Sequence, residues 1–493
     1  MKSIVIIGGG VAGLTAGIYG QLYGYDCTII ERNSFVGGNM TAWERQGCTV
    51  DNCLHWLTGT RDGSTLNGIW KTVGMLGGVP IVKNRAFYSS EYRGKRLSLY
   101  RNADRTLKEM RLFSKKDRAE SERFINAVKT VAESKGRYAK FSVPYLKVLS
   151  YYGKMSLGEL SQRFSHPLLK RLMTDYLSDE LCALALVFAY AAFVSGDADV
   201  PFGASGAAAE RMERRFTSLG GKIITDAEAE RIVTDGDRAI GVLTRDGHFF
   251  EGDFTVCATD TEITFGRLLP SESMPKKLAG AYRDKENMQT FSALHAAFVC
   301  DSMECLPEST LICEISPIKI CKREIGRMMI KPYTNKLLKI PEGKTVLQVM
   351  FFLYEDEAER IISAYNNDRD AYRAFKRNFE KAIKKRLVKR YPAIGESIKT
   401  LDVWTPASYK RYFGNTVGAF MSFAMKKGKA IFYRLPSKIS AYGNVFLATQ
   451  WQGTPGGLPT AALNGKRAID EIQRSDRKTS VRAFSIRGGV SEI

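Results

Sequence analysis

The 493-residue sequence has no apolar run long enough to cross a bilayer. The longest, LCALALVFAYAAFV from Leu181 to Val194, falls short of the roughly twenty residues that a membrane-spanning helix needs. The nine cysteines are odd in number and include no CxxC pair, which argues against a disulfide framework and against a zinc site. We therefore predict a protein without membrane spans, disulfides or a bound metal.

Sequence features of nucleic-acid binders are scarce too, because there is no glycine-arginine tract and no zinc finger. Yet 73 basic residues against 52 acidic ones give a formal charge of +21, with clusters at Lys115–Arg118, Lys376–Arg390 and Lys426–Lys429. This surplus indicates an anionic partner or simply a solvated basic surface. We expect peripheral contact with an anionic membrane and no nucleic acid. A glycine-rich turn stands where a signal peptide would begin, so we also expect a cytoplasmic protein.

The opening stretch IVIIGGGVAGLTAG predicts a buried strand, a tight turn and a helix, and YDCTIIERN predicts a second strand. This is the context of a dinucleotide fingerprint, in which one glycine makes the turn, one lets the backbone approach a pyrophosphate and one packs the helix. The helix start offers its N–H groups to the phosphates. The predicted phosphate-binding residues are Gly8, Gly10, Val11, Ala12 and Gly13.

Glu31 ends the second predicted strand, where an acidic side chain can accept hydrogen bonds from the adenosine ribose. Arg32 beside it can meet a 2′-phosphate, so this pair of residues alone leaves NADP open. After Glu31, the stretch ERNSFVGGN adds Gly37 and Gly38, followed by Asn39. This extension resembles the FAD fingerprint of the glutathione-reductase-like flavoproteins, which implies FAD.

Two later segments predict further strands of the same domain. Residues 220–260 contain strand runs separated by Asp235-Gly236 and Asp246-Gly247, a hairpin pattern that returns to the main sheet, and NVFLATQ precedes a glycine loop and a helix. We predict an α/β fold in which a Rossmann-type domain is interleaved with a mixed α+β substrate domain. The predicted segments are 1–85, 200–261 and 428–473 for the first domain, 86–199 and 262–427 for the second, and 474–493 for a polar tail.

The closing segment ATQWQGTPGGLPTAALNGKRAIDEI resembles the last FAD motif of the phytoene desaturase, carotenoid isomerase and retinol saturase group. The stretches GCTVDNCLHWLTGT and TPASYKRYFGNTVGAF resemble the same group. The resemblance implies a fold of the amine-oxidase and phytoene-desaturase type with FAD bound non-covalently, since no cysteine lies in the closing motif. It also implies contacts to FAD from Gly37, Gly38, Asn39, Ala229, Asp260, Gly456, Gly457, Leu458 and Pro459.

By the same resemblance, we predict desaturation, saturation or isomerisation of carbon–carbon double bonds in a hydrophobic polyene or isoprenoid, with hydride transfer at flavin N5. His55, one of only four histidines, is the candidate catalytic residue, with a structural role as the alternative. The apolar run at 181–194 is either a core helix or a channel wall. A flavin amine oxidase and an FAD-containing nucleic-acid-associated protein remain the alternative functions, and the oligomeric state is open.

Overall fold

The computed structural model describes residues 1–134, 142–424, 426–428 and 433–487, with side chains to residue 477. Lys429 of the third basic cluster and residues 488–493 of the predicted tail lie outside the described residues. The strands are β1 Ser3–Ile7, β2 Asp26–Ile30, β3 Ala42–Arg45, β4 Cys48–Asp51, β5 Leu57–Thr58, β6 Ile81–Val82, β7 Ala86–Tyr92, β8 Lys95–Tyr100, β9 Ala198–Pro201, β10 Lys222–Ile224, β11 Ala229–Asp235, β12 Arg238–Thr244, β13 Phe249–Glu251, β14 Phe254–Cys257, β15 Ser292–Asp301, β16 Leu311–Ile320, β17 Arg323–Tyr333, β18 Lys344–Leu353, β19 Lys399–Trp404 and β20 Val445–Leu447.

The helices lie mostly in the segments between these strands. They are α1 Val11–Leu22, α2 Thr65–Thr72, α3 Ala103–Phe113, α4 Arg118–Glu133, α5 Val143–Tyr152, α6 Leu157–Ser161, α7 Pro167–Thr174, α8 Ala183–Val194, α9 Ala204–Ser218, α10 Thr261–Ile263, α11 Lys276–Arg283, α12 Glu355–Asn367, α13 Arg369–Arg390, α14 Pro406–Phe413 and α15 Leu458–Arg487.

A five-stranded parallel sheet in the order β10-β2-β1-β14-β20 forms the first domain. Successive side chains of a strand point to opposite faces. Ile4 and Ile6 of β1 therefore pack in one cluster with Leu14 of α1, while Val5 and Ile7 pack in another. The predicted strand, turn, helix, strand unit is confirmed, and it places the glycine turn at the carboxyl end of β1.

The predicted hairpin segment forms an antiparallel three-stranded sheet of its own, β11-β12-β13. Only β14 then returns to the main sheet, where it pairs with β1. The side chains of Ile232 and Val242 pack in the same cluster as Val5 and Ile7. The small sheet thus covers the face of the parallel sheet opposite α1.

The second domain is built on a seven-stranded sheet in the order β19-β15-β18-β17-β16-β7-β8. Its pairs are antiparallel except for β16 with β7. Leu294 and Phe298 of β15 pack in one cluster with Ile383 of α13, whereas Ala293 and Ala297 belong to the cluster on the other face. One face therefore carries α13 and the other faces the first domain.

The strands of the two sheets come from the segments assigned to the two predicted domains, whose boundaries stay predictions. The last helix differs from the expectation, because α15 continues past Gln473 to Arg487, through the beginning of the predicted tail. No glycine or proline occurs between residues 474 and 487, so nothing in this stretch interrupts a helix.

Candidate functional site

One cavity of about 560 Å³ is lined by residues of both domains, and nearly every predicted site residue belongs to its wall. The exception is Gly13, which is not part of the wall. The predicted residues in the wall are Gly8, Gly10, Val11, Ala12, Glu31, Arg32, Gly37, Gly38, Asn39, His55, Ala229, Asp260, Gly456, Gly457, Leu458 and Pro459. Residues from remote segments of the chain therefore meet at one site.

Gly13 shapes this site from outside the wall. A Cβ atom at this position would lie 1.9 Å from the carbonyl oxygen of Gly8, so only glycine lets α1 pack this closely on the turn. Gly10 precedes α1 and provides no side chain to cap it. The first N–H groups of the helix, at Val11 and Ala12, therefore face the cavity with the positive end of the helix dipole.

Glu31 follows β2 and is buried, with 7% of its surface exposed. Its Oε2 accepts a hydrogen bond from the Gly9 N–H (2.8 Å), and its Oε1 accepts from the Asn33 N–H (2.9 Å). Oε1 also accepts from Asn33 Nδ2 (2.8 Å), whereas Oε2 keeps a second lone pair for a ligand hydroxyl. Arg32 donates to the carbonyl of Arg411 (2.9 Å), and burial lowers the pKa of its guanidinium from the usual value.

Asn39 joins the glycine loop of residues 37–38 to two other segments. Its Nδ2 donates to the carbonyl of Phe420 (3.1 Å), and its Oδ1 accepts from Asn415 Nδ2 (3.0 Å). Its own carbonyl accepts from Asn52 Nδ2 (2.9 Å). Asn39 therefore fixes the middle of the cavity through both its side chain and its backbone.

Asp260 lies beyond β14 at the start of α10. Its carboxylate accepts hydrogen bonds from the Thr416 N–H (2.9 Å), the Thr416 hydroxyl (2.6 Å) and the Glu262 N–H (2.9 Å). Burial raises the pKa of Asp260 to about 6, against the opposing effect of these donors. Asp260 thus ties the segment around Thr416 to the first domain, and Ala229 at the start of β11 lines the same end of the cavity.

The closing motif forms the wall beside the middle of the cavity. Gly457 has a φ of +104°, and a Cβ placed there would meet no atom within 4 Å. Its N–H donates to Gln450 Oε1 (2.8 Å), and α15 begins at the next residue, with Pro459 in its first turn. This backbone therefore leaves open space for a flat ligand.

His55 lines the other end of the cavity, in a segment held by two buried charges. Asp51 accepts hydrogen bonds from the N–H groups of Cys53 (3.1 Å) and Leu54 (3.0 Å), and Lys331 Nζ donates to the carbonyl of Leu54 (3.0 Å). Burial lowers the pKa of Lys331 to about 8 and, with the nearby Lys331 charge, holds the pKa of His55 well below its usual value. The imidazole of His55 is therefore neutral at pH 7.

The end of the cavity around His55 is walled by apolar side chains. Helix α8 turns Ala185, Phe188, Ala189 and Ala192 toward it, while Leu184 and Leu186 pack in the core. The sheet of the second domain adds Met329, Met350 and Phe352. The apolar run at 181–194 is thus both a core helix and a cavity wall, and we call this end the apolar half.

The two ends of the cavity differ in the charge of their wall residues. The charged residues of its wall are Glu31, Arg32, Glu228, Asp260 and Arg267, all at the glycine-turn end, which we call the nucleotide half. Among the described wall residues of the apolar half, none is acidic. A second, more polar cavity of about 550 Å³ adjoins this half and shares Met329, Met350 and Phe352 with it.

His295, for which no role is predicted from the sequence, lies in the apolar half together with Tyr409 and Asn52. His295 Nε2 and Tyr409 Oη are 3.1 Å apart, and the Tyr409 hydroxyl lies 3.1 Å from Asn52 Oδ1. The sequence did contain an indication that His295 has a role. It is the one polar residue within LHAAFV, a run otherwise typical of a buried strand.

All nine cysteines are free thiols. Within residues 1–134, 142–424, 426–428 and 433–487, no group of three or more His, Cys, Asp or Glu residues is arranged to hold a metal ion. In the same part of the chain, no helix combines the length and the hydropathy that crossing a bilayer requires.

The nucleotide half fits a dinucleotide cofactor on three structural grounds. The start of α1 has no side-chain cap, Glu31 Oε2 retains a lone pair beside it, and the backbone at Gly457 is open toward the cavity. These are a phosphate site, an acceptor for the adenosine ribose and space for a ring system, the three features that a bound dinucleotide requires.

The profile of the flavin containing amine oxidoreductase family matches residues 11–473. The chain belongs to this family. It is an FAD-dependent oxidoreductase, and the predicted cofactor and enzyme class are confirmed.

Two curated relatives agree with the predicted group. The chain is 20% identical to 4,4'-diaponeurosporene oxygenase of Staphylococcus aureus strain MW2, over 97% of this chain and 99% of the relative. It is 24% identical to the lycopene-forming phytoene desaturase of Pseudescherichia vulneris, over 60% of this chain and 63% of that protein. The resemblance to carotenoid-desaturase-like flavoproteins is therefore confirmed.

Solved structures confirm the fold class. An oxidoreductase from Methanosarcina mazei superimposes with a TM-score of 0.63 at 15% identity, covering 96% of this chain and 100% of the other. Wild-type putrescine oxidase bound to putrescine gives a TM-score of 0.60 at 15% identity, covering 96% and 99%. These similarities establish the shared fold and nothing about the substrate.

Proposed function

We propose that this FAD-dependent enzyme acts on carbon–carbon double bonds of a hydrophobic polyene or isoprenoid, by desaturation, saturation or isomerisation. The observation that carries the proposal is the apolar half of the cavity, where Met329, Met350, Phe352 and one face of α8 form the wall. The names of the two curated relatives, a diaponeurosporene oxygenase and a phytoene desaturase, support the same substrate class.

The adjoining cavity supports an elongated substrate. The two cavities share the side chains of Met329, Met350 and Phe352, so together they offer room for an extended chain. The second cavity is lined by Arg327, which is ion-paired with Asp175, and by Arg323, which is ion-paired with Glu357. A long apolar molecule would therefore extend from the apolar half past these three shared side chains into the second cavity. One of its ends would then lie near the two ion pairs.

The protein's own part in the reaction is binding and orientation. The apolar wall excludes water and holds the polyene against the middle of the cavity, which Asn39 and the closing motif both line. Hydride exchange with the held double bond is the chemistry that FAD supplies when bound. His55, neutral and facing the cavity, is the group that we propose to exchange a proton with the substrate.

An amine substrate fits this site less well. An alkylammonium group needs an anionic or hydrogen-bonding partner when it leaves water. Among the described wall residues, the acidic ones (Glu31, Glu228 and Asp260) lie in the nucleotide half, away from His55. The amine-oxidase alternative therefore lacks a counter-ion in the described wall of the apolar half.

The decisive experiment follows the flavin spectrum of the purified holoenzyme without oxygen. Polyene lipids and amines are added separately to the oxidised and the reduced protein, and the visible absorbance is recorded. We expect at least one polyene to reduce or reoxidise the flavin, or to be isomerised, while amines leave it unchanged. A flavin that responds to amines and to no unsaturated lipid contradicts the proposal.

We also propose that the protein is cytoplasmic and contacts an anionic membrane through α5. Val143 and Leu146 on this helix are 65% and 44% exposed, and Lys147 beside them is exposed as well. Helix α5 packs against α8, the wall of the apolar half, so membrane contact here would bring a lipid-soluble substrate near the cavity. The charge of +21 favours an anionic surface.

Vesicle flotation tests this membrane contact. We expect binding to phosphatidylglycerol vesicles, no binding to phosphatidylcholine vesicles, and weaker binding of the double variant Val143→Ser, Leu146→Ser. The control, Ile240→Ser, changes a residue that is 43% exposed on the small antiparallel sheet and should bind like the wild type. Steeply salt-dependent RNA binding without vesicle binding would support the nucleic-acid alternative instead.

A further inference from the structure

His295 belongs to a row of side chains that crosses the sheet of the second domain. It pairs directly with Met350 of β18 on one side and with Trp404 of β19 on the other, and Met350 pairs with Met329 of β17. Directly paired residues point to the same face of a sheet. Because Met329 and Met350 line the apolar half, the imidazole of His295 stands on the face that lines it too.

The imidazole of His295 is held in one place. Its ring stacks on the indole of Trp404 with 4.5 Å between centroids and an interplanar angle of 4°. Its Nε2 lies 3.1 Å from the Tyr409 hydroxyl oxygen. Only 1% of the residue is exposed, so the ring has no freedom to turn toward solvent.

The hydrogen-bond network defines which nitrogen of His295 carries the proton. Asn52 donates from Nδ2 to the carbonyl of Asn39 (2.9 Å), so its Oδ1 is the atom that faces Tyr409. The Tyr409 hydroxyl has one hydrogen, which it donates to Asn52 Oδ1 (3.1 Å). The Tyr409 oxygen must then accept from His295, which places the imidazole hydrogen on Nε2.

A neutral imidazole with its hydrogen on Nε2 has a bare lone pair on Nδ1. Within the described part of the chain, Nδ1 of His295 has no hydrogen-bond partner. Burial lowers the pKa of His295 to about 3, so the ring stays neutral and Nδ1 remains an acceptor at pH 7. Buried acceptors are normally paired. On one side of His295 in the row, the Met350 side chain has no N–H or O–H to donate. On the other side, the Trp404 ring lies parallel to the imidazole, with 4° between the planes, so its N–H does not point at Nδ1.

We propose that His295 is a specificity-determining residue whose Nδ1 accepts a hydrogen bond from a hydroxyl group on the substrate. This inference rests on the proposed function and deepens it, because the substrate is then a polyene or isoprenoid alcohol and not a pure hydrocarbon. The Tyr409 and Asn52 side chains act as positioning residues that keep Nδ1 free to accept.

The test compares binding of a polyene alcohol with binding of its methyl ether, which has the same chain but no hydrogen to donate. Each dissociation constant is measured with the holoenzyme from the change in the flavin absorption spectrum. For the wild type we expect the alcohol to bind roughly tenfold more tightly than the ether, the effect of one net hydrogen bond. Equal affinities overturn the inference and mean that Nδ1 meets only water.

Variants separate this role from simple packing. His295→Phe should abolish the preference for the alcohol while leaving the affinity for the ether within a few-fold of the wild-type value. Tyr409→Phe should reduce the preference, since the imidazole hydrogen is then no longer confined to Nε2. The control Leu347→Met, a volume-conserving change on the opposite face of the same sheet, should keep the full preference.

Three outcomes overturn the inference in distinguishable ways. If His295→Phe shifts the flavin spectrum of the free holoenzyme or weakens FAD retention, and the alcohol preference stays, the partner of Nδ1 is the cofactor. If polyene hydrocarbons react with the flavin but alcohols bind no better than ethers, the proposed function stands and only the role of His295 fails. If neither hydrocarbons nor alcohols bind or react, the proposed function fails and this inference fails with it.

Discussion

The nucleotide half of the cavity is built mainly from backbone, whereas the apolar half is built from side chains. In the nucleotide half, the glycine turn, the start of α1 and the open backbone at Gly457 shape the wall. In the apolar half, Trp56, α8 and the row from Met329 to His295 converge from segments far apart in the chain. The first half can bind the same cofactor in many proteins, while the second can be changed to select a substrate.

The largest expected effect is in the nucleotide half. Gly13→Val should abolish FAD binding and destabilise the fold by about 3 kcal/mol or more, because its Cβ would lie 1.9 Å from the Gly8 carbonyl oxygen. Visible absorbance measures bound FAD, and urea denaturation measures stability. The control Gly68→Ala in α2 has no atom within 4 Å of its new Cβ and should keep FAD. Full FAD content in Gly13→Val would refute the packing argument.

A charged side chain in the apolar half should weaken polyene binding without affecting FAD binding. Ala189→Asp puts a carboxylate into the wall formed by α8, and burying it should weaken polyene binding by about 100-fold or more. FAD content should match the wild type, because Ala189 is remote from the nucleotide half. Titration of each purified protein with a polyene gives the comparison. Loss of FAD together with the polyene would show that the two halves are not independent.

Glu31 tests the ribose site. Glu31→Ala removes a buried carboxylate that orders the Gly9 and Asn33 N–H groups, so FAD affinity should fall by about 10- to 100-fold. The measurement is dissociation of FAD on dilution, followed by flavin fluorescence. Glu230→Ala, an exposed residue of β11, is the matched control and should retain FAD. Unchanged retention in Glu31→Ala would refute the ribose assignment.

The smallest expected effect is in the apolar half, where His295 should make the free energy of unfolding depend on pH. Its pKa is about 3 in the folded protein against 6.5 ordinarily, so between these values the unfolded chain binds the extra proton. The free energy of unfolding should therefore fall as the pH drops from about 6.5 toward 3, by up to about 1.4 kcal/mol per unit from this residue. Urea denaturation at pH 7, 6 and 5 should show a shallower slope for His295→Phe. An identical slope would contradict the pKa shift.

Most of the nucleotide half could be predicted because its residues follow one another in short stretches. Gly8, Gly10 and Gly13 take their roles from one strand, turn and helix, and the closing motif is equally compact. The apolar half depends on contacts between remote segments. The run at 181–194 is apolar all round, so its periodicity could not tell the core face from the cavity face. The end of α15 was missed because composition alone did not distinguish an exposed polar helix from a tail.

The amino-acid sequence by itself determined the cofactor and the domain that binds it, because a phosphate-binding turn is a local backbone structure that a few glycines specify. Only the tertiary structure decided which side chains face the substrate. His295 reaches the cavity through the pairing of β15 with β18 and β19, and a slip of one residue in that register would turn it to the opposite face. Its free Nδ1 depends further on Asn52 and Tyr409, whose hydrogen bonds arise only when three remote segments fold together.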